Sequence, residues 1–164
     1  MSPKIVKLEE LSDRCDELRA NGKKLVATNG CFDLLHVGHV RYLSAARALG
    51  HFLVVGLNGD QSVRALKGAY RPINAERDRA EVLAGLDCVD LVTIFPETRA
   101  TRFITAMKPA VYVKGGDYNS DTLNEEERAV LKGIGAEVRL IPFEPGYSTS
   151  RLIERICTTN KQNL

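Results

Sequence analysis

The chain alternates short apolar runs with longer stretches in which apolar residues recur every three or four positions. Runs of four to six apolar residues are typical of strands buried on both faces of a sheet, and the longer periodic stretches are typical of amphipathic helices. Clusters of Gly, Asn, Asp and Pro separate the two kinds of segment, as turns do. The predicted strands cover residues 24–28, 52–57, 91–95, 111–114 and 138–141.

Helices are predicted before, between and after these strands. The first covers residues 8–21, where Leu8, Leu11, Cys15 and Leu18 share one face. Later helices start behind residues whose side chains suit an N-cap. These candidate caps are Asn74, Thr98, Asn124 and either Ser148 or Thr149.

The alternation of strands and helices predicts an α/β fold, a Rossmann-like doubly wound sheet of five parallel strands. The length of 164 residues suits one domain, over residues 1–164. Its motif-bearing core is expected at about 24–155, behind an N-terminal helix within 1–23 and before a flexible tail at 157–164. In such a sheet, ligands bind beyond the carboxyl ends of the strands. Segments 28–39, 58–71, 95–98, 114–118 and 142–150 should therefore face one crevice.

Composition narrows the function classes. A net charge of +2 is too small to favour a nucleic-acid or membrane surface. The longest strongly apolar run, residues 52–55, is too short to span a bilayer, and the N-terminus lacks a signal peptide's apolar segment. The four cysteines form no CxxC pair, and three of them sit in apolar patterns where buried thiols are common. We expect reduced thiols and a cytoplasmic protein. Cys31 lies in a binding loop, but no base stands beside it in sequence, so a nucleophile is weakly indicated.

Two common phosphate motifs are missing from the chain. It has no GxxxxGK[ST] and no GxGxxG after the first strand. In their place, the chain after that strand carries NGCFD and then HVGH, at the predicted start of a helix.

His36 and His39 allow three interpretations. On one helix face they could bind a metal, although zinc needs a further ligand and helical pairs are more often four residues apart. They could also be packed or capping side chains. The third interpretation is an anion site made of a helix N-terminus and two imidazoles. Gly38 favours the third, because glycine in a first turn costs about 1 kcal/mol and suggests that something approaches the backbone closely.

The stretch Gly-x-Phe-Asp-x-x-His-x-Gly-His resembles the first signature of the HxGH nucleotidyltransferases, the cytidylyltransferase-like family. Later blocks match in order: NGD at 58–60, KG at 67–68, RPIN at 71–74, Arg79, VKGGDY at 113–118 and STS at 148–150. RPIN followed by VKGGDY is similar to the D-glycero-β-D-manno-heptose 1-phosphate adenylyltransferases of bacterial ADP-heptose synthesis. That domain is fused to a sugar kinase in some bacteria, and a stand-alone form is expected here.

The resemblance implies a reaction and its partners. The sugar 1-phosphate attacks the α-phosphorus of ATP and releases pyrophosphate, for lipopolysaccharide inner-core or related heptose glycans. Mg²⁺ comes with ATP and is held largely by phosphate oxygens, so no protein metal ligand is expected. The implied partners are ATP and a sugar 1-phosphate, a separate heptose 7-phosphate kinase, and further copies of the chain in a homo-oligomer. Neither nucleic acid nor membrane is expected.

The resemblance also assigns roles to residues that match the motifs. The expected catalytic residues are His36 and His39, donating to phosphate oxygens, and Lys67, facing the leaving pyrophosphate. The expected nucleotide-binding residues are Asn29, Gly30, Cys31, Phe32, Gly38, His39, Gly116, Tyr147, Ser148, Thr149 and Ser150. The expected substrate-binding residues are Asp33, Asn58, Asp60, Arg71, Arg79, Lys114 and Asp117.

Several of these residues keep a structural alternative. Asp33 could cap the helix rather than touch ligand, and residues 148–150 are caps by default, a role compatible with phosphate binding. Arg79 could be an exposed helix charge, Lys114 could extend from its strand end into solvent, and Asp117 could be a turn former.

Departures from the family pattern bear on the substrate. Asn-Gly-Asp stands where related domains often have Asn-Ser-Asp, and Ser-Thr-Ser where they have Ser-Thr-Thr. The loop before the last helix lacks the arginine that glycerol-3-phosphate cytidylyltransferases tend to carry, which favours adenine over cytosine. Two alternatives remain: a cytidylyl- or adenylyltransferase acting on another small phosphate, such as glycerol 3-phosphate, and a non-catalytic nucleotide-binding module.

Overall fold

The computed structural model describes residues 2–116, 123–142 and 146–162. In this part of the chain, five parallel strands form one sheet in the order β3-β2-β1-β4-β5. The strands are β1 (Leu25–Gly30), β2 (Phe52–Asn58), β3 (Leu91–Phe95), β4 (Val111–Gly115) and β5 (Glu137–Ile141). The order places β1 at the centre, where the chain first builds outward to β3 and then crosses to β4. This reversal is the point at which a doubly wound sheet binds its ligand.

Helices connect the strands and flank both faces of the sheet. They are α1 (Leu8–Ala20), α2 (Val37–Arg47), α3 (Asp60–Lys67), α4 (Glu76–Ala84), α5 (Thr101–Met107), α6 (Glu125–Gly133) and α7 (Thr149–Gln162). The predicted fold class and strand positions are confirmed, to within one or two residues at each strand end.

Two apolar clusters lie on opposite faces of the sheet. One joins α1, α5 and α6 through side chains such as Leu11, Phe103 and Leu131. The other joins α2 and α4 through Leu43 and Leu83. We call these the α5–α6 layer and the α2–α4 layer. Any cavity over the carboxyl ends of β1 and β4 therefore receives side chains from both layers.

The two edge strands are exposed to different degrees. The N-terminal segment runs along β3, where Val92 donates to the carbonyl of Lys4 and accepts from Val6. At the other edge, β5 is exposed over Glu137 to Leu140 despite its apolar alternation.

Two predicted helix starts were wrong, and one helix was not predicted. Helix α3 lies within the predicted crevice segment 58–71, where no helix was predicted from the sequence. The helices expected to begin behind Asn74 and Thr98 instead have Ala75 and Ala100 as N-caps. Helix α7 continues to Gln162, and so includes part of the segment 157–164 for which a flexible tail is expected.

Other helix starts agree with the sequence. Asn124 Oδ1 accepts from the N–H groups of Glu126 and Glu127, and Ser148 Oγ accepts from Arg151 N–H. Among the described residues, no helix has the length and apolarity to cross a membrane.

Candidate active site

A cavity of about 710 Å³ opens at the carboxyl edge of the sheet. Its wall is built from the segments beyond the strand ends, as the predicted crevice required. From the α2–α4 layer come the two histidines of α2 and the start of α7. From the α5–α6 layer come the connection after β3 and the first turn of α6.

The two histidines lie where α2 begins. His36 is the N-cap in extended backbone, and His39 is the third residue of the helix. The two ring centroids are 4.0 Å apart, and His36 N–H donates to His39 Nδ1 at 3.4 Å. Since Nδ1 accepts, the proton of the neutral His39 ring belongs on Nε2.

Both histidines are neutral at pH 7 in this environment. Burial lowers the pKa of His36, and it lowers the pKa of His39 to about 4, with a further contribution from the charge of His36. The pair therefore offers N–H donors to a ligand rather than two fixed positive charges. Such donors suit an oxygen whose negative charge grows during a reaction.

Four rings succeed one another along the cavity wall, in the order Phe32, His39, His36 and Tyr147. We call them the ring column. The Phe32 and His39 centroids are 5.5 Å apart, and Tyr147 stacks on His36 at 6.2 Å and 28°. His36 Nδ1 is buried and has no hydrogen-bond partner within the described ranges. Packing between rings therefore sets the position of His36.

Gly38 faces this column. A Cβ at residue 38 would lie 3.0 Å from His36 Nδ1 and 3.2 Å from Tyr147 Cβ. Both distances are shorter than ordinary contacts of a methyl group. The sequence predicted that another group approaches the backbone of Gly38 closely, and the structure shows that these groups are side chains of the ring column. Gly38 also forms part of the cavity wall, so a ligand reaches the same surface.

Asp33 is an anchor for the RPIN segment. Its carboxylate is 4% exposed and accepts from Ile73 N–H at 2.8 Å, Asn74 N–H at 3.0 Å and Arg71 Nε at 2.5 Å. Burial alone would raise its pKa, but these hydrogen bonds and the charge of Arg71 lower the pKa overall. The alternative in which Asp33 caps α2 is wrong, because His36 holds that position.

Arg79 is buried and joins the strand ends. At 2% exposure it donates to the carbonyls of Cys31, Asn58 and Asn74 and pairs with Asp60 Oδ1 at 2.8 Å. The exposed-charge alternative for Arg79 is therefore wrong. Neither Arg79 nor Asp60 forms part of the cavity wall. The structure gives both residues a structural contact in place of a ligand-facing position.

Lys114 closes the floor of the cavity. Its side chain is buried, and Nζ donates to Asn29 Oδ1 at 2.7 Å and lies 3.6 Å from Glu127 Oε2. Tyr112 Oη donates to the same Asn29 oxygen at 2.5 Å. Burial lowers the pKa of Lys114, while Glu127 acts in the opposite direction. The alternative in which Lys114 extends into solvent is wrong.

Two cations of the cavity wall have no partner among the described residues. Lys67 is the last residue of α3, and Arg99 lies beyond the end of β3. Neither makes a hydrogen bond or ion pair with any residue that the structure describes. The Cys31 thiol is nearby, and burial raises its pKa, so it is protonated at neutral pH. A nucleophilic Cys31 is not supported.

All four cysteines are free thiols. Cys15 is buried, but Cys88 is only partly buried and Cys157 is exposed, unlike the burial expected for all three.

Most of the expected site residues meet at this cavity. Those on its wall are Asn29, Gly30, Cys31, Phe32, Asp33, His36, Gly38, His39, Asn58, Lys67, Arg71, Lys114, Tyr147, Ser148, Thr149 and Ser150. Gly116 is not part of the cavity wall, whereas its neighbour Gly115 is. Asp117 lies outside the described residues.

Sequence reasoning assigned no site role to Tyr42, Leu66, Thr98, Arg99, Gly115, Asn124 and Glu127. The sequence indicated Asn124 and Glu127 only as part of the start of a helix. Leu66, Thr98 and Gly115 lay within the predicted crevice segments, which was the signal that pointed to the cavity.

A Rossmann-like sheet with this constellation at its first βα connection defines a nucleotidyltransferase. The model of the cytidylyltransferase-like family matches residues 27–155, and the chain belongs to that family. The resemblance read from the motifs is confirmed.

Two curated relatives share about half of their aligned residues with this chain. The bifunctional protein HldE of Geotalea uraniireducens (strain Rf4) is 51% identical over 155 residues, 94% of this chain and 31% of the relative. HldE of Helicobacter pylori (strain J99) is 51% identical over 158 residues, 96% of this chain and 32% of the relative. The chain thus spans about a third of the length of these relatives.

Solved structures share the fold. The lipopolysaccharide core biosynthesis protein from Thermoplasma volcanium GSS1 superposes with a TM-score of 0.62 at 27% identity, covering 75% of this chain and 98% of that one. Pantoate-beta-alanine ligase from Francisella tularensis superposes with a TM-score of 0.59 at 13% identity, covering 91% of this chain and 69% of that one. The second likeness concerns the fold alone.

Proposed function

We propose that this nucleotidyltransferase transfers AMP from MgATP to D-glycero-β-D-manno-heptose 1-phosphate, giving ADP-heptose and pyrophosphate. The observation that carries the proposal is the 51% identity with HldE over 94% of the chain. The RPIN and VKGGDY motifs support the same acceptor. The loop before α7, which lacks an arginine, supports adenine as the base.

The reaction proceeds by direct displacement. An oxygen of the sugar phosphate forms a bond to the α-phosphorus while the bond from that phosphorus to the bridging oxygen breaks, and pyrophosphate leaves with that oxygen. Phosphoryl transfer of this kind needs positioning and charge stabilisation rather than a protein nucleophile. The protonated Cys31 thiol agrees with a mechanism that does not use it.

His39 stabilises the developing charge through Nε2–H. Its Nδ1 is occupied by His36 N–H, so the donor that remains is available to an α-phosphate oxygen. His36 is held between His39 and Tyr147 and adds a second donor beside the first. The α2 N-terminus supplies backbone N–H groups to the triphosphate at the same place.

Two positively charged side chains of the cavity wall, Lys67 and Arg71, suit the leaving pyrophosphate. Lys67 contributes a charge that no described residue neutralises. Arg71 contributes a second charge, oriented through Nε by the Asp33 carboxylate. A flexible lysine beside a held arginine suits a leaving group that must bind, move and depart.

Mg²⁺ enters this mechanism as part of the MgATP substrate. Within the described ranges, no group of three or more His, Cys, Asp or Glu side chains is arranged to hold a metal ion. Phosphate oxygens are the usual main ligands of Mg²⁺ in such sites. In the cell, the chain would act together with a heptose 7-phosphate kinase and as a homo-oligomer.

A substrate panel tests the proposal. The chain is incubated with Mg²⁺, each nucleoside triphosphate and several sugar and alcohol phosphates, and pyrophosphate is measured with mass spectrometry of the product. The expected result is turnover with ATP and the heptose 1-phosphate. Turnover only with another pair, such as CTP and glycerol 3-phosphate, would overturn it. Binding of ATP without any turnover would instead indicate a non-catalytic nucleotide-binding module.

A further inference from the structure

The cavity wall contributed by the α5–α6 layer has no role in the nucleotide chemistry described above. Its polar side chains are Thr98, Arg99, Lys114, Asn124 and Glu127. They belong to the connection after β3, the end of β4 and the start of α6. The histidines, Tyr147 and the start of α7 lie on the α2–α4 side of the sheet. The two sets of side chains therefore meet above β1 from opposite layers.

Glu127 connects the parts of this wall. It is 6% exposed; Oε1 accepts from Ala100 N–H at 2.8 Å, and Oε2 lies 3.6 Å from Lys114 Nζ. One oxygen thus fixes the backbone next to Arg99, and the other fixes the ammonium at the cavity floor. A carboxylate this deeply buried is stable only with such partners. It is also part of the cavity wall, where a ligand hydroxyl could donate to it.

The charges on this wall suit an anion that carries hydroxyl groups. Arg99 is exposed to the cavity and makes no ion pair within the described ranges, so its guanidinium can bind a phosphate in a bidentate manner. The α6 N-terminus does not provide the anion site itself, because Asn124 caps it and Glu125, Glu126 and Glu127 make its first turn negative. Phosphate is therefore recognised by the two cations, and hydroxyl groups by the carboxylate.

We propose that Arg99, Lys114 and Glu127 form the acceptor subsite, in which Arg99 and Lys114 hold the phosphate of a polyhydroxylated phosphate ester and Glu127 accepts from its hydroxyl groups. This inference rests on the proposed function; it includes Lys114 of the VKGGDY motif and adds Arg99 and Glu127, which lie outside the motifs named above. It gives a function to a buried lysine and glutamate, a pair that stability alone does not require. The acceptor then approaches the α-phosphate from the layer opposite the histidines.

The test compares Arg99→Gln and Glu127→Gln with the control Arg102→Gln. Arg102 lies three residues further along, is exposed, and pairs with Glu97 and Glu9 outside the cavity. Steady-state kinetics are measured against each substrate, and Mg²⁺ with a non-hydrolysable ATP analogue is titrated by calorimetry. Both site variants are expected to raise KM for the sugar phosphate about tenfold or more and to leave analogue affinity within about twofold. Arg102→Gln should change neither quantity.

Two results would overturn the subsite. One is an unchanged acceptor KM in Arg99→Gln, and the other is a loss of analogue affinity equal to the rise in acceptor KM. Glutamine keeps the acceptor for Ala100 N–H, and an unchanged melting temperature shows that Glu127→Gln is folded.

Calorimetric binding measurements distinguish a failure of the proposed subsite from a failure of the proposed reaction. Suppose that the wild type binds the heptose 1-phosphate in the presence of the analogue but forms no product with ATP. If Arg99→Gln then abolishes that binding, the proposed reaction is wrong and the proposed subsite is supported. If the wild type turns over another phosphate ester, the same variants are assayed with that ester, and an unchanged KM contradicts the subsite.

Discussion

His36 N–H donates to His39 Nδ1, so the backbone of the first histidine fixes which nitrogen of the second carries the proton. The bond closes across the first turn of α2, where the N-terminal N–H groups of the helix have no partner within the helix. The same bond therefore stabilises the helix start and leaves Nε2 as the His39 nitrogen that carries the proton.

Replacing His39 removes that donor. We expect His39→Ala to lower kcat by about a hundredfold, as for the loss of an oxyanion donor, with a smaller effect on ATP affinity. The measurement is steady-state kinetics with calorimetric titration of an ATP analogue. His51→Ala is the matched control, because His51 is exposed and bonds to Lys24 N–H away from the cavity. An unchanged kcat in His39→Ala would show that the ring is structural.

The partly buried His39 ring also predicts a pH dependence of stability. Its pKa is about 4 in the folded chain and about 6.5 when unfolded, so the unfolded state takes up the extra proton between these values. The stability that the neutral ring provides is complete above pH 6.5 and is lost as pH falls through 4. The upper limit of the loss is about 3 kcal/mol.

Urea unfolding at pH 7 and at pH 4.5 measures this effect. His39→Gln should lose less free energy of unfolding over this interval than the wild type. The Asp33 carboxyl acts in a lower pH window, because its folded pKa is below its ordinary value of 3.8. Equal losses in the wild type and His39→Gln would contradict the assignment.

Gly38→Ala should separate activity from stability. The new methyl group would press on His36 Nδ1 and Tyr147 Cβ, so the ring column must shift by a few tenths of an ångström. Alanine is the better helix former by up to about 1 kcal/mol, so the melting temperature should hold while kcat falls by on the order of tenfold. Gly133→Ala in α6 is the control, since its Cβ meets nothing within 4 Å. Full activity of Gly38→Ala would show that the position of the column has no catalytic consequence.

Asp33→Asn should loosen the RPIN segment. The change removes the charge opposite Arg71 and leaves one oxygen to serve the N–H groups of Ile73 and Asn74. We expect a loss of about 1–3 kcal/mol in the free energy of unfolding and a lower kcat/KM for ATP. Asp87→Asn, on an exposed aspartate without a hydrogen bond to any described residue, should change neither. A fully stable and active Asp33→Asn would mean that the segment is held elsewhere.

The central strands were predictable because a strand buried on both faces is a short, nearly continuous apolar run, as in β2 and β3. Helix α3 was missed for the opposite reason. It has eight residues, only Ser62 and Val63 are buried, and it starts with turn-forming Asn-Gly-Asp. The starts of α4 and α5 were predicted wrongly because groups that are distant in sequence form hydrogen bonds with residues at those starts. Asn74 donates to Asp33 O, and Glu127 accepts from Ala100 N–H.

Site residues that belong to a recognisable motif were predictable from the sequence. Residues whose role depends on contacts with distant segments were not. From sequence, Arg79 is equally consistent with a surface charge or a ligand group, whereas its four acceptors in the structure come from three separate segments of the chain. Arg99 lies one residue beyond the predicted crevice segment. Sequence spacing does not show that it faces the cavity or that no described residue pairs with it.

Phe32 adopts a φ of +42°, in the left-handed region that a bulky side chain enters at a cost of about 1–2 kcal/mol. Its neighbours Cys31 and Asp33 are tied to Arg79 and to the RPIN segment, so the fold holds the loop in that shape. The loop is thus preorganised. The entropy of ordering it is lost once, during folding, and each nucleotide that arrives finds the ring column already assembled.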